Sequence, residues 1–238
     1  METNDFRFKQ FVIKQNKCAF KVGTDSVLLG AWAESENTNH ILDIGTGSGI
    51  LALMMAQKSN AKITAIDIDL GAVEQAQENA QNSVWKNRIQ VLHSSVQDHA
   101  KQNSDTFDLI ITNPPYFINK AHAMGTALSN ARNTLFLPFE ELIRSSLKLM
   151  NKEGKLYLVL PVNEAIQFRK IAEKSGLVLS KLLKVQTKPG EQFEKRHLML
   201  FQKTAFHYSE EILVIDEQDQ HTYSADYREL TKDFYLAF

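Results

Sequence analysis

The amino-acid sequence predicts an α/β protein built on a mostly parallel sheet with helices on both faces. Apolar runs of strand length alternate with segments of helical periodicity, a pattern typical of βαβ units. The chain has 238 residues, 43% of them hydrophobic, which is enough for one substantial core. We therefore predict a single domain over residues 1–238, with the core sheet in 34–203, an N-terminal segment in 1–33 and a C-terminal extension in 204–238.

The predicted strands and helices alternate regularly along the chain. The first half contains, in order, strand His40–Ile44, helix Ser48–Gln57, strand Lys62–Ile66, helix Gly71–Ser83, and strands Arg88–Leu92 and Phe107–Thr112. The second half contains helix Pro138–Met150, strand Gly154–Leu160, helix Asn163–Ser175, and strands Leu177–Gln186 and His197–Lys203. Because Pro189-Gly190 is a turn signal between the last two strands, these two strands are expected to pair antiparallel.

The composition excludes several classes of function. A net charge of −1 excludes a chain that binds nucleic acid through its overall charge. Cys18 is the only cysteine, so an internal disulfide and a cysteine-based metal site are excluded, and a small buried hydrophobe is expected there. Residues 1–10 are polar, and no apolar run approaches the roughly 18 residues of a membrane span. We expect a cytoplasmic protein with no metal, no membrane contact and no obligate protein partner.

Charge is unevenly distributed along the chain. Residues 1–21 contain five basic and two acidic residues, residues 165–203 contain nine basic and three acidic residues, and the tail from Thr204 contains two basic and eight acidic residues. Such segments are commonly solvated faces. The alternative is a local patch that binds RNA phosphates, for which the candidate substrate-binding residues are Lys184, Lys188 and Arg196.

The tetrapeptide Asn113-Pro114-Pro115-Tyr116 follows the predicted strand that ends at Thr112. The amino group of an adenine or an amide is a poor nucleophile, because its lone pair is delocalised into a π system. Two hydrogen-bond acceptors on the amino hydrogens can pull the nitrogen toward a tetrahedral shape and aim the lone pair at an electrophilic carbon. The side-chain carbonyl of Asn113 and the backbone carbonyl of Pro114 are candidates for these acceptors.

The two prolines restrict the backbone of this tetrapeptide. Each proline fixes its own φ, and the residue before each is pushed toward extended conformations. Acceptor positions are thereby set before a substrate arrives. Tyr116 adds an aromatic face, and base–aromatic stacking contributes about 1–3 kcal/mol per base. The alternative is that Asn-Pro-Pro is only a turn that ends a strand.

A glycine-rich loop, Asp43-Ile44-Gly45-Thr46-Gly47-Ser48-Gly49, begins at the end of the first predicted core strand. Its glycine spacing misses the dinucleotide fingerprint by one residue, which argues against a pyrophosphate site. S-adenosylmethionine has no phosphates and needs a turn that passes close to it, where glycines give clearance. Asp67, at the end of the next strand, can accept hydrogen bonds from both ribose hydroxyls, whereas Asp69 is expected to face solvent or to cap the following helix.

These signals converge on one place in the predicted fold. The glycine loop, Asp67 and Asn113 all lie at carboxyl ends of predicted strands, the edge where open α/β sheets bind ligands. Residues 117–137 show little apolar periodicity, and we predict a lid on the substrate side, with plain disorder as the alternative. Thr24 and Asp25 are typical of a helix N-terminus. That segment is predicted either to start a helix only or also to close over the methionine end of the cofactor.

Three further segments carry a resemblance to a known family. They are Phe6–Phe11 (FRFKQF), Lys21–Trp32 (KVGTDSVLLGAW) and Asp233–Leu236 (DFYL). Together with the glycine loop and Asn-Pro-Pro-Tyr, they make the chain resemble the S-adenosylmethionine-dependent amino-methylating enzymes over nearly its whole length. Among these it is most similar to the tRNA(valine) adenine-N6 methyltransferase family, which modifies the purine immediately 3′ of the anticodon.

The resemblance implies a Rossmann-like class I methyltransferase with a seven-stranded, mostly parallel sheet and one antiparallel strand. It implies catalysis at Asn113, Pro114, Pro115 and Tyr116, with Tyr116 also binding the substrate. It implies S-adenosylmethionine contacts from Asp43, Gly45, Thr46, Gly47, Gly49, Asp67, Ser95 and Asn113. Many relatives carry an acid near the cofactor adenine where this chain has Ser95, so either Ser95 or Asp98 is expected to make that contact.

The sequence thus predicts methylation of an adenine N6 in tRNA. One alternative is methylation of a glutamine side chain in a protein such as a release factor, because an amide poses the same lone-pair problem. The basic segments favour RNA over that alternative. Another alternative is a non-catalytic RNA-binding module on the same fold, against which the intact Asn-Pro-Pro-Tyr argues.

Overall fold

The computed structural model describes residues 5–18, 20–102, 106–115, 137–191, 194–204, 207–217 and 222–238. Its strands are β1 Phe6–Arg7, β2 Val12–Ile13, β3 His40–Ile44, β4 Lys62–Asp67, β5 Ile89–His93, β6 Phe107–Thr112, β7 Met150–Pro161, β8 Val178–Gln186, β9 Arg196–Gln202 and β10 Ser209–Val214. Its helices are α1 Thr24–Trp32, α2 Ile50–Lys58, α3 Leu70–Gln81, α4 Val96–Gln102, α5 Phe139–Leu149, α6 Val162–Lys174 and α7 Ala225–Thr231. None of the helices in these ranges combines the length and apolar character that a membrane span requires.

The main sheet has the strand order β10-β8-β9-β7-β6-β3-β4-β5. Within the described ranges, β9 runs antiparallel to both of its neighbours, β7 and β8, and the other pairs are parallel. The predicted class, a mostly parallel sheet with one antiparallel strand, is confirmed. The antiparallel pairing of the last two predicted strands is confirmed as well.

The sheet is one strand wider than the seven strands predicted. The additional strand, β10, comes from the C-terminal extension and pairs in parallel with Lys181–Gln186 of β8. The first three residues of β10, Ser209–Glu211, are polar, and Leu213 is the one buried residue of this strand. An edge strand with one buried position has too little apolar alternation to be recognised in the sequence.

Helices cover both faces of the sheet. Successive residues of a strand point to opposite faces, so neighbouring residues of one strand pack against different helices. Ile41 and Leu109 belong to the cluster that contains α1 and α2. Their neighbours Leu42 and Ile110 belong to the cluster that contains α5 and α6. The strands therefore read as continuous apolar runs, as expected for a sheet buried on both sides.

The N-terminal segment and the C-terminal end of the chain lie against each other. Phe8 and Tyr235 form an isolated antiparallel bridge, with ring centroids 6.0 Å apart. The backbone N–H of Lys9 donates to the carbonyl of Phe234 at 2.8 Å, and the Lys9 ammonium donates to the carbonyls of Lys232 and Phe238. The N-terminal segment is thus held against the last residues of the C-terminal extension.

Candidate active site

The glycine loop connects β3 to α2 and crosses the end of β4. Gly45, Gly47 and Gly49 have φ values of 69°, 55° and 83°, a region that residues with a Cβ rarely adopt. The backbone N–H groups of Gly45 and Thr46 donate to the carbonyl of Ile66 at 2.9 and 3.0 Å. The loop backbone is therefore fixed above the carboxyl edge of the sheet, as the sequence predicts.

Asp43 lies beneath this loop and is fully buried. Its Oδ2 accepts hydrogen bonds from the Thr46 hydroxyl at 2.6 Å and from the Ala52 backbone N–H at 3.1 Å. Burial raises the pKa of Asp43 to about 7, although these two hydrogen bonds act in the opposite direction. Asp43 thus holds the loop against the start of α2, and its direct contact with a cofactor stays a prediction.

Gly49 packs against α3 rather than lining the cavity described below. A Cβ at Gly49 would lie 3.3 Å from both Cα and Cβ of Ala76, whereas a Cβ at Gly45 would meet no atom within 4 Å. We expect Gly49→Ala to destabilise the protein by more than the roughly 1–2 kcal/mol of left-handed backbone strain, and Gly45→Ala by that strain alone. Chemical denaturation measures both free energies of unfolding. Equal losses for the two variants would contradict the assigned packing role of Gly49.

Asp67 ends β4 and faces the same loop. Its Oδ2 accepts the N–H of Gly47 at 2.9 Å and its Oδ1 accepts the N–H of Asp69 at 2.9 Å. Burial raises the pKa of the Asp67 carboxyl. Asp69 instead accepts the Ala72 N–H at 2.7 Å as the N-cap of α3. The predicted helix-capping role of Asp69 is confirmed, and the ribose contact of Asp67 stays a prediction.

Asn113 follows β6 and contacts the start of α1. Its side-chain Nδ2 donates to the hydroxyl oxygen of Ser26 at 2.9 Å. Because the amide nitrogen is engaged there, the amide orientation is fixed and Oδ1 is the acceptor left for a ligand. Tyr116 and the predicted lid up to position 136 lie outside the described residues.

Helix α1 begins at Thr24, so its N-cap lies one residue before Thr24 and Asp25, the pair that the sequence predicts as the cap region. Its N-cap is Gly23, with no side-chain cap hydrogen bond. Asp25, one of the two predicted cap residues, instead accepts a hydrogen bond from the Arg196 Nε at 2.7 Å. The segment starts a helix and also lines the cavity described below, and its closure over the methionine end of the cofactor stays a prediction.

These elements enclose a cavity of about 780 Å³ at the carboxyl edge of the sheet, a volume in the range of small-ligand sites. Its wall includes the glycine loop, the ends of β4 and β6, the start of α1 and the turn before α4. The predicted site residues on the wall are Gly45, Thr46, Gly47, Asp67, Ser95, Asn113, Pro114, Pro115 and Arg196. The predicted residues absent from it, within the described ranges, are Asp43, Gly49, Lys184 and Lys188.

Ser95 and Asp98, the two candidates for the adenine contact, differ in position. Ser95 is on the cavity wall, and Asp98 is not. The Ser95 hydroxyl donates to the Asp98 carboxylate at 2.8 Å and accepts the Asp98 N–H at 3.1 Å. Lys101 also donates to Asp98, at 3.1 Å. The geometry therefore favours Ser95, with Asp98 orienting its hydroxyl.

Many basic side chains counted in the sequence are paired with acids of other segments. Lys184 lies 2.6 Å from Glu210 of β10 and 3.8 Å from Glu194, with its side chain 25% exposed. Lys14 pairs with Glu78 at 2.8 Å. A phosphate that approached Lys184 would compete with two carboxylates. Binding of phosphate by Lys184 and Lys188 stays a prediction that the fold does not strengthen.

Ser26 and Phe20 are two of the wall residues to which the sequence patterns assign no individual role. Ser26 contacts Asn113, although the two are 87 positions apart. No local sequence pattern predicts a contact over that separation. Phe20 is 53% exposed on the cavity wall. The sequence gives it no periodicity that would distinguish it from a core aromatic. Cys18 is buried on the same wall, as predicted, and burial raises its pKa to about 11.

Comparisons of sequence agree with this geometry. The model of the methyltransferase small domain family matches residues 18–176. The tRNA1(Val) (adenine(37)-N6)-methyltransferase of Phocaeicola vulgatus is 44% identical over 236 residues, which covers 97% of each chain. The protein of the same name from Trichodesmium erythraeum is 41% identical over 241 residues and covers 100% of both.

Comparisons of structure support the fold. A predicted O-methyltransferase from Agrobacterium tumefaciens superposes with a TM-score of 0.68 at 22% identity, covering 88% of this chain and 96% of the other. The 16S rRNA N2 G1207 methyltransferase of T. thermophilus, solved with AdoMet and guanosine, superposes with a TM-score of 0.55 at 19% identity, covering 84% and 50%. At these identities the likeness concerns the fold alone, and it is the fold that the sequence predicts.

Proposed function

Because the chain belongs to the methyltransferase small domain family and to the family of tRNA1(Val) (adenine(37)-N6)-methyltransferases, we propose that it methylates the N6 amino group of an adenine in tRNA. The methyl donor is S-adenosylmethionine, and the target is adenine 37, immediately 3′ of the anticodon of valine tRNA. The observation that carries this proposal is the single cavity whose wall holds the glycine loop, Asp67 and Asn113.

The cavity wall fits S-adenosylmethionine. A carboxylate has about four lone-pair positions, so Asp67 retains capacity to accept hydrogen bonds from the ribose while it accepts the N–H groups of Gly47 and Asp69. Gly45 and Gly47 present backbone without a Cβ to the adenosine and amino-acid parts. Ser95 would contact the adenine. When bound, S-adenosylmethionine supplies an electrophilic methyl carbon.

Asn113 and Pro114 prepare the target amine for reaction. Their carbonyl oxygens accept hydrogen bonds from the two amino N–H groups. These bonds weaken delocalisation of the nitrogen lone pair and aim the lone pair into the cavity. S-adenosylmethionine bound by the glycine loop and Asp67 would supply the methyl carbon for the nitrogen held by Asn113 and Pro114, with the donor sulfur as the leaving group, and one amino proton would pass to water. No histidine is assigned as a base. His99 and His197 are buried and lie off the cavity wall.

Ser26 positions the Asn113 amide in this proposal. We expect Ser26→Ala to lower kcat about 5- to 50-fold, the cost of freeing one partly buried hydrogen-bond partner, with the cofactor affinity within about threefold. Single-turnover methylation under saturating cofactor and RNA measures this effect. Ser26→Thr keeps the hydroxyl and should restore most of the rate. A threonine variant as slow as the alanine variant would contradict a role for the hydroxyl.

The proposed function is tested with the purified protein, S-adenosylmethionine and an unmodified valine tRNA transcript. Digestion and nucleoside mass analysis should show N6-methyladenosine, and a transcript with guanine at position 37 should yield none. A glutamine-containing release-factor peptide offered in parallel should stay unmethylated. Methylation of the peptide without methylation of the transcript would overturn the proposal in favour of the amide.

A further inference from the structure

A second cavity of about 880 Å³ adjoins the first at the carboxyl edge of the sheet. It lies between the ends of β8 and β10, the start of β9, and the paired N- and C-terminal segments. Thr24, Asp25 and Arg196 line both cavities. The Asp25–Arg196 ion pair, 2.7 Å long, is therefore part of the boundary between them.

Aromatic side chains form much of the second wall. They are Phe6, Tyr223, Tyr227, Tyr235 and Phe238. Tyr223 packs on Tyr227 with ring centroids 4.9 Å apart and meets Phe238 edge-on at 5.4 Å. Tyr227 is buried, whereas Tyr223 is 45% exposed. Tyr223 is thus an aromatic face held in place by its neighbours and still accessible to a ligand.

Charged side chains surround these rings. Arg7, Lys195 and Arg196 line the cavity, together with the acids Asp25 and Asp216. Asp25 is paired with Arg196, and Arg7 is exposed. Cations beside accessible aromatic rings match the phosphate and the π-face of a nucleotide.

We propose that this second cavity binds a nucleotide adjacent to the target adenine in the RNA, with its base stacked on Tyr223 and its phosphate near Arg7 and Arg196. The inference rests on the proposed function, and it adds a substrate subsite to it. Single-stranded RNA loops are recognised by splaying bases apart and stacking them on aromatic side chains. Because the two cavities share a wall, one strand can place the target base in the first and its neighbour in the second.

The test is a two-by-two cycle between the protein and an anticodon stem-loop RNA. The protein is wild type or Tyr223→Ala, and the RNA carries either the natural base or an abasic site at the neighbouring position, on the 5′ and the 3′ side in turn. With the natural RNA, Tyr223→Ala should raise KM about 5- to 150-fold, the range of one base–aromatic stack. On one of the two sides, the abasic RNA should show a similar loss with the wild-type protein and no further loss with the variant.

Matched variants separate stacking from general damage. Tyr223→Phe keeps the ring and should stay within about threefold of wild type. Tyr208→Ala removes a tyrosine of nearly equal exposure, 44%, that precedes β10 at the opposite edge of the sheet, and should leave KM unchanged. Arg7→Gln should raise KM, whereas Lys62→Gln, an exposed cation at the amino end of β4, should not. Cofactor affinity should be the same in the wild type and all five variants.

The outcomes separate the subsite from the proposed function. Methylation of the stem-loop by the wild type, with additive losses from Tyr223→Ala and the abasic sites on both sides, would overturn the subsite and leave the proposed function standing. An equal KM for Tyr223→Ala and wild type would do the same. Failure of the wild type to methylate either the stem-loop or full-length tRNA would overturn the proposed function, and the subsite with it.

Discussion

The Asn113→Ala protein should bind S-adenosylmethionine within a few-fold of wild type and lose nearly all methyl transfer. Asn113 contributes an acceptor to the reacting amine, an interaction that strengthens as positive charge develops on the nitrogen in the transition state. Removal of one preorganised polar group at a reacting centre costs about 10²–10³-fold in kcat. The expected loss exceeds that of Ser26→Ala, which leaves the acceptor in place and only loosens it.

Two measurements decide this prediction. Calorimetry gives the cofactor affinity, and single-turnover methylation of valine tRNA gives the rate. Asn113→Asp is the matched variant, because it keeps a side-chain oxygen acceptor and should retain more activity than Asn113→Ala. Turnover of Asn113→Ala within tenfold of wild type would contradict the assigned role.

The carboxyl-edge site could be predicted from the sequence because it depends on chain order. The glycine loop and Asn113 each follow an apolar strand and Asp67 ends one, and parallel strands bring their ends to one edge. The role of Asp69 was also predictable, since its position before an apolar helical segment is the local signature of an N-cap.

Contacts between distant parts of the chain could not be predicted in this way. Thr24 and Asp25 satisfy the local rule for a helix cap, yet the Asp25 carboxylate binds Arg196, 171 positions away. The helix begins at Thr24 with Gly23 as its N-cap, so Asp25 lies within the first turn and its carboxylate pairs with Arg196 instead of capping the helix. The Ser26–Asn113 contact and the parallel pairing of β10 with β8 arise in the same way, from elements that only the folded sheet brings together.

The distribution of charge along the sequence likewise does not indicate which basic side chains are paired with acids in the fold. The basic residues of segment 165–203 suggested a patch, but Lys181 pairs with Glu34 and Lys184 pairs with Glu210. These acids belong to segments that precede and follow the basic one. The positive electrostatic potential that this segment presents to RNA is therefore weaker than its nine basic residues indicate. Arg196 lies at the two cavities because of its position in the fold, and not because of the local excess of charge.

Replacing Asp67 by Ala should weaken S-adenosylmethionine binding by about 2–4 kcal/mol, the loss of a pair of charge-assisted hydrogen bonds to the ribose. This corresponds to an increase in Kd of about 30- to 1,000-fold. Asp69→Ala is the matched control. It removes a helix cap and should lower stability by about 1 kcal/mol, with little change in cofactor affinity. Unchanged affinity for Asp67→Ala would transfer the acidic role to Asp69.

Asp67 also accepts the N–H groups of Gly47 and Asp69, so a weaker cofactor affinity could arise from a loosened loop. A cofactor analogue without ribose hydroxyls separates the two causes. If the carboxylate binds the ribose directly, the analogue without ribose hydroxyls should bind the wild type more weakly than S-adenosylmethionine does. The two ligands should bind Asp67→Ala with equal affinity, because the interaction is already absent from that variant. If the substitution acts only through the loop, both ligands should lose affinity equally on going from wild type to Asp67→Ala. Calorimetric titration of the four combinations distinguishes these results, and equal losses would refute the ribose contact.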